Sequence, residues 1–487
     1  MKILVLILIC LLFVEPFLNA SKIDYSEIAS FPQVAEKPYF PLSESGALRV
    51  KAEGFDAWSR EHHVPYYGGF LTEVHFKDES YEEPTSYGSM GDSCIWTGVY
   101  LGSQSLRYAV TNDPIAKQNA IRTVHALHHF LKVTGTKGYI ARYWGSQDSL
   151  VYHGDAYCAS RSDRCHKIDS GEYEGDFWWG QTSKDQYSGW FFGLSLAYDF
   201  IDDPDIRNLI RDDVSEVVEG LMTTKWILTD ENGFPSNWDS ASIISAPYQI
   251  PWLTIAYHMT GKDIFKNELQ AKLAHWHNAI TLVTTFVIPN KYVQYYANHL
   301  CHITWYNTLR LGKLYFNPHT LLYLQNLFDT NVHDHVRLAH NALFTAIKLS
   351  TNPSENPNIN KPYYDELIED LTDFNSAPYH DYYLPERDPS TYTLEPMTGW
   401  IERWSTVIEY LKKIPFFETI MGFIEVKIQA EEGFPIRMQC SSGYIFQRNP
   451  FKIEACGRNN PLELFSGLDY LITYWLSSFH NLISQHQ

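Results

Sequence analysis

Two aspartates open two apolar, helix-forming runs: Asp92 precedes Ser93-Cys94-Ile95-Trp96-Thr97-Gly98, and Asp185 precedes Gln186-Tyr187-Ser188-Gly189. Carboxylates brought to one mouth are what glycosidic hydrolysis uses, one as proton donor and the other as base or nucleophile. The same positions also suit plain capping, with Asp92 as an N-cap and Ser183-Lys184-Asp185-Gln186 as a capping box. A second constellation is Tyr295, His299, His302 and Tyr306, spaced to share one helix face, with Asn298 beside them. There Asn298 and His299 would grip sugar hydroxyls. In a lyase or epimerase, Asn298 would neutralise a uronate carboxylate while His and Tyr exchange protons, with Arg142 part of the site. Each histidine alone is equally a satisfied core residue. Trp96, Trp178, Trp179 and Tyr187 offer stacking faces for sugar rings, although buried aromatics give the same count. Gln186 and His302 complete the candidate binding residues.

Recurring helical hairpins must position these groups. Trp96-Thr97-Gly98 runs through Tyr108 to Asn112-Asp113-Pro114, and Tyr187-Ser188-Gly189 through Tyr198 to Asp202-Asp203-Pro204. A weaker copy runs from Trp252 through Tyr257 to Thr260-Gly261-Lys262-Asp263. Each turn supplies an Asp to cap the next helix, and proline suits its first position. The pattern predicts helices over Ser93–Val110 and Pro114–Val133, a hairpin over Ser183–Leu221, another over Pro251–Val283, and a fourth from Val293 returning through Val332 to Leu349. Later helices are expected over Tyr363–Asp373, Met397–Lys412 and Leu462–Ile483. Unlike copies at uneven spacing suit hairpins stacked in a closed ring with long rim insertions.

With 45% hydrophobic and 15% aromatic residues, the chain can bury a large core. Its net charge of -19 speaks against a nucleic-acid partner, which needs a basic face. Lys2 and the apolar run Ile3–Val14, followed by Leu18-Asn19-Ala20, read as a signal peptide, so a secreted or periplasmic protein without stable membrane insertion is expected. Cys158 with Cys165, and Cys440 with Cys456, are expected disulfides, while Cys94 and Cys301 read as buried thiols. The pairs His275-x-His277 and His333-x-His335 point their rings to different helix faces, so neither a metal site nor a cofactor is expected.

The segments Gly91–Gly98, Ser183–Asp199 and Gly467-Leu468-Asp469-Tyr470-Leu471-Ile472 resemble the six-hairpin, (α/α)6-toroid glycosidase superfamily, in particular exported bacterial proteins of no assigned activity. That resemblance implies an all-α fold with long rim loops and minor β segments, and a carbohydrate substrate at the mouth of the inner barrel. With the leader segments read from the residues, the chain is expected to divide into a signal peptide (1–20), an irregular leader packed on the toroid (21–90) and the toroid (91–487). Hydrolysis through Asp92 and Asp185 is the leading expectation. A lyase or epimerase, or a non-catalytic glycan-binding protein, are the alternatives.

Overall fold

A computed structural model describes residues 46–65, 69–236, 245–286, 295–334, 336–380, 395–396, 413, 427–440, 443–453 and 460–483. The expected signal peptide, the helix over Met397–Lys412, Cys456 and His335 lie outside the described residues.

The described residues are mostly helical, with short strands between helices. Helix α1 (Gly46–Trp58) runs into a π turn, Ser59–His63, followed by β1 (Glu73–Phe76) and β2 (Pro84–Gly88). The first hairpin is α2 (Ser93–Thr111) and α3 (Pro114–Lys132). An excursion then carries β3 (Tyr143–Ser146), the short α4 (Asp155–Ser160), β4 (Cys165–Lys167) and β5 (Asp176–Trp179). Helices α5 (Lys184–Phe200) and α6 (Pro204–Thr223), α7 (Ala246–Thr260) and α8 (Asp263–Phe286), α9 (Tyr296–Tyr315) and α10 (Pro318–Phe328), and α11 (Ala342–Thr351) and α12 (Pro357–Asp373) form four further pairs. Strands β6 (Glu395–Pro396), β7 (Lys427–Ile428) and β8 (Glu463–Phe465) precede α13 (Leu468–Phe479).

Turn chemistry explains where the second helix of a pair begins. Asp113 accepts from the Ile115 amide and Asp203 from those of Asp205 and Ile206, each with proline at the first helical position. Asn317 and Asn356 repeat the device before Pro318 and Pro357. The proline sacrifices no hydrogen bond there, and the Asx side chain satisfies an orphan amide.

Glycine decides how α2 meets α5. A Cβ on Gly98 would collide with the Gly189 carbonyl, one on Gly189 with Ile95, and one on Gly193 with Gly98. Further along, Gly102 meets Phe192 and Leu196. Contacts rise together along both helices, so α2 and α5 run parallel and start at the same end. From α5 the packing passes to α7, then α9, α11 and α13, and α13 packs on α2. Against these lie α3 on α2, α6 on α5, α8 on α7, α10 on α9, α12 on α11 and α1 on α13. Trp190, Trp252, Trp305 and Trp475 are fully buried on α5, α7, α9 and α13. Each contributes up to about 4–6 kcal/mol of apolar burial relative to an extended chain.

Several boundaries differ from the sequence pattern. The leader expected to be irregular contains α1, which packs through Phe55 on Tyr470 of α13, ring centroids 5.4 Å apart. The first helix of the third hairpin starts at Ala246, so Pro251 lies within it. The return expected from Val332 to Leu349 is divided: a π turn, Asp329–His333, ends one hairpin and α11 starts another. Residues Glu463–Phe465 are not helical but pair antiparallel with β1, in the sheet order β2-β1-β8. Gly467 then turns the chain at φ +64°, where any Cβ would strike the Phe55 ring.

Cys158 and Cys165 form a disulfide, Cys440 is disulfide-bonded, and Cys94 and Cys301 are buried thiols. Among the described residues, no helix is long and apolar enough to cross a membrane.

Candidate functional site

At the shared start of α2 and α5, the first amides of α2 are satisfied by neighbouring chain segments. The Cys94 amide donates to the Arg142 carbonyl (2.9 Å) and the Ile95 amide to Gln186 Oε1 (3.2 Å). Asp92, although it holds the N-cap position, makes no capping bond. Its Oδ1 instead accepts from Arg142 Nη1 (3.2 Å) and Gln186 Nε2 (3.1 Å), and its side chain is 50% exposed. The capping box expected at Ser183 is likewise not formed: the Ser183 side chain caps nothing and its Oγ accepts from Arg142 Nη2 (3.2 Å). Asp185 follows in the first turn of α5, its Oδ1 3.8 Å from Lys184 Nζ.

Arg142 is the hub of this cluster. Besides Asp92 and Ser183 it binds the carbonyls of Gly91 (2.6 Å) and Gln181 (2.7 Å), and its backbone amide bonds Trp179 (2.7 Å). With guanidinium donors committed to both helix starts, Arg142 positions Asp92 and Gln186. Gln186 is itself fully buried, clamped between Gly91, Asp92 and Ile95.

The expected polar face of α9 divides in two. Tyr295, just before the helix, and His302 both stack on Phe344 of α11, His302 at 3.7 Å and nearly parallel. His299 instead lies 4.8 Å from the Tyr444 ring and 5.9 Å from Trp96, while the Tyr306 hydroxyl meets His480 Nε2 at 2.9 Å. Residues seven apart return to one side of a helix, whereas the intervening steps alternate across it. His299, His302 and Asn298 are all 0% exposed. Burial lowers the pKa of His299 and of His302 to about 3, which keeps both rings neutral at ordinary pH. His302 Nδ1 bonds the Asn298 carbonyl at 2.7 Å. Among the described residues, neither nitrogen of His299 nor the Tyr444 hydroxyl has a hydrogen-bond partner.

The expected stacking faces are covered. Trp96 lies against Tyr444 at 4.4 Å, Trp178 against His166 at 4.2 Å, and Trp179 between Tyr157 and the Arg164 guanidinium. Tyr187 is buried beside Trp252 and donates to the Gly138 carbonyl (2.9 Å).

Three polar groups escaped the sequence reading. Asp199 of α5 is buried between His258 of α7 (2.6 Å) and Arg310 of α9 (2.5 Å), tying three helices. Burial alone would raise its pKa, but His258 and Arg310 together hold the carboxyl well below the usual range. Asp469, at the start of α13, accepts from the Ile445 amide (3.0 Å), and burial pushes its carboxyl up to about 6. Glu73, His75 and Glu463 converge across β1 and β8, with potential ligand atoms within 4.8 Å of one another. Apart from Glu73 and His75, the partners are distant in sequence, so no local spacing marks them.

No family model, curated protein or solved structure matches the chain.

Proposed function

We propose that the protein is an exported carbohydrate-active enzyme, an (α/α)6 toroid that hydrolyses an oligo- or polysaccharide at the mouth formed by the starts of its inner helices. The succession of α2, α5, α7, α9, α11 and α13, each backed by an outer helix, supports the toroid reading. The apolar leader Ile3–Val14 and the Cys158–Cys165 disulfide support export.

One observation carries the chemistry. The Asp92 carboxylate is spared from capping, half exposed, and held by Arg142 and Gln186 at the shared start of α2 and α5, where the first turn of α5 carries Asp185. Neighbouring groups perform the capping, so this carboxylate is held for another use. In the proposed reaction, one carboxyl of the Asp92/Asp185 pair protonates the glycosidic oxygen and the other acts as base or nucleophile.

A second reading, a lyase or epimerase, draws on His299 and Tyr444. These two neutral groups lie in contact with hydrogen-bonding capacity left among the described residues, and they suit proton exchange at a carbon beside a carboxylate. The purified protein is to be incubated with neutral and uronate-containing polysaccharides while reducing ends and ultraviolet absorbance are followed together. Reducing ends without absorbance, lost in Asp92→Asn, are expected. Absorbance from an unsaturated product, lost in His299→Gln and kept in Asp92→Asn, would replace hydrolysis by the lyase. Silence across the panel with retained glycan binding would reject both reactions in favour of a binding protein.

A further inference from the structure

We propose that the axis of the inner helices is a sugar-binding subsite and that Tyr444 holds it shut, its ring standing where a sugar would lie on Trp96. Helices α2 and α9 are three places apart in the succession of inner helices, yet Trp96 and His299 meet with ring centroids 5.9 Å apart. In a closed ring of six these helices stand opposite, and opposite members meet at the axis. Tyr444 covers both side chains, 4.4 Å from Trp96 with the planes 23° apart and 4.8 Å from His299. An aromatic face flanked by a few hydrogen-bonding groups is the usual make-up of a small-molecule site. Tyr444 occupies that face with a ring that leaves both nitrogens of His299 without a partner among the described residues. The choice of a sugar rests on the toroid and carbohydrate reading above.

Unmade bonds mark the place. His299 is 0% exposed and Tyr444 4%, and the Tyr444 hydroxyl, like the His299 nitrogens, has no hydrogen-bond partner among the described residues. Single unpartnered atoms occur elsewhere, as at the Tyr100 hydroxyl, but here three lie on two rings in contact. The neutral His299 ring has one donor and one acceptor, which suits a hydroxyl that both accepts and donates. A sugar that displaces Tyr444 would complete bonds left unmade in the closed state. The chain around Tyr444 is fixed on one side and open on the other. After it, Ile445–Gln447 turns against α9, the Ile445 amide donates to Asp469 (3.0 Å), and Phe446 packs beside Phe374, ring centroids 6.1 Å apart. Before it, Gly443 turns at φ +80°, and a Cβ there would meet nothing within 4 Å. Rotation at Gly443 and about the Tyr444 side-chain bonds withdraws the ring while Ile445 and Phe446 stay seated.

Two measurements on the full chain test this. N-acetylimidazole modifies accessible tyrosine hydroxyls, and Tyr470, also buried but with its hydroxyl bonded to the Leu48 carbonyl (2.7 Å), serves as the reference. Mass spectrometry is expected to find Tyr444 acetylated about tenfold faster than Tyr470, because local opening releases it, and equal protection of the two would overturn the gate. Calorimetric titration with glucose, galactose, mannose and glucuronate is then run on wild type and Tyr444→Ala. At least one of the four should bind Tyr444→Ala about tenfold more tightly than wild type, since the closed state no longer competes, and adding His299→Gln should remove the gain. Absence of binding by all four, equal affinity in wild type and Tyr444→Ala, or a gain that survives His299→Gln would overturn the subsite. Urea midpoints show whether Tyr444→Ala remains folded, and Tyr444→Leu, which keeps more of the apolar contact, replaces it if it does not. Neither measurement needs turnover. A chain that binds the sugar without forming reducing ends fails the hydrolase reading and keeps this one, whereas a hydrolase indifferent to Tyr444→Ala does the reverse.

Discussion

The contact between α2 and α5 and the contact between α9 and α11 are built on opposite principles. In the first, Gly98, Gly189 and Gly193 bring backbone against backbone, and the polar groups at the helix starts are matched: Gln186 to Asp92 and Ile95, Thr97 to Ser93 and Phe70, while the Ser188 hydroxyl further in has no partner among the described residues. In the second, α9 buries His302 against Phe344, while the same helix carries His299 and Thr304 with bonding capacity unused among the described residues. Matched close packing stabilises and fixes geometry. Buried polar groups with unmade bonds cost stability, and proteins tolerate that cost chiefly at functional positions. Close backbone packing therefore makes the first contact a frame, whereas α9 carries groups whose value lies elsewhere.

The largest expected effect breaks the frame. Gly98→Val places side-chain atoms where the Gly189 backbone lies, with nothing flexible to yield, and should cost more than about 3 kcal/mol. Gly102→Ala meets only the ends of Phe192 and Leu196 and should cost less than half as much. Urea unfolding midpoints of the two variants test this ranking, and equal midpoints would refute a backbone-limited contact.

Next in size is the ion group that ties the two regions together. Asp199→Ala leaves the half-buried Arg310 and the buried His258 without their carboxylate and should cost about 3–5 kcal/mol. Because Asp199 is held well below the usual carboxylate range, its contribution is present above about pH 4 and is lost as pH falls through its folded value. Denaturant titrations of wild type and variant should thus converge in acid.

Acid also distinguishes the α9 side. His299 and His302 titrate near 3 when folded and near 6.5 when unfolded, both depressed by burial. The unfolded state therefore takes up protons first, and stability present above about pH 6.5 is lost as pH falls towards 3. Between pH 7 and pH 5 each ring should account for about 2 kcal/mol. Asp56 and Asp469, raised to about 6 by burial, act in the opposite sense: their contribution is present below about pH 4 and lost as pH rises through 6. The informative quantity is the difference between wild type and His299→Gln in chemical denaturation at the two pH values, and an unchanged difference would rule out a buried neutral His299.

Particular residues show what could be read from sequence. Asp113-Pro114 and Asp203-Pro204 announced their helices because capping is local chemistry, and Asn317-Pro318 and Asn356-Pro357 used the same signal without being recognised. The glycines of Thr97-Gly98 and Ser188-Gly189 stood out as a motif, but a glycine does not name the helix it admits. Helix α1 was missed because Gly46 and Gly54 weaken its intrinsic propensity, and packing on α13 compensates. Spacing put Tyr295, His299, His302 and Tyr306 on one face, yet a band that wide touches two neighbours, and only packing divides it. Arg142 was noticed for its charge, but its positioning role depends on Gly91, Gln181 and Ser183 converging from separate segments.

The smallest expected effect is also the sharpest test of how the frame is capped. If Asp92 capped α2 in the ordinary way, Asp92→Ala would cost about 0.5–2 kcal/mol. Here Gln186 and the Arg142 carbonyl satisfy the first amides, and the half-exposed ion pair with Arg142 contributes little in water. Asp92→Ala should therefore shift stability by less than about 0.5 kcal/mol, whereas Gln186→Ala should cost about 1–3 kcal/mol by leaving the Ile95 amide buried and unpaired. Urea titrations of the two variants at neutral pH decide between cis and trans capping. A larger loss in Asp92→Ala than in Gln186→Ala would return Asp92 to the cap and remove the argument that its carboxylate is reserved for chemistry.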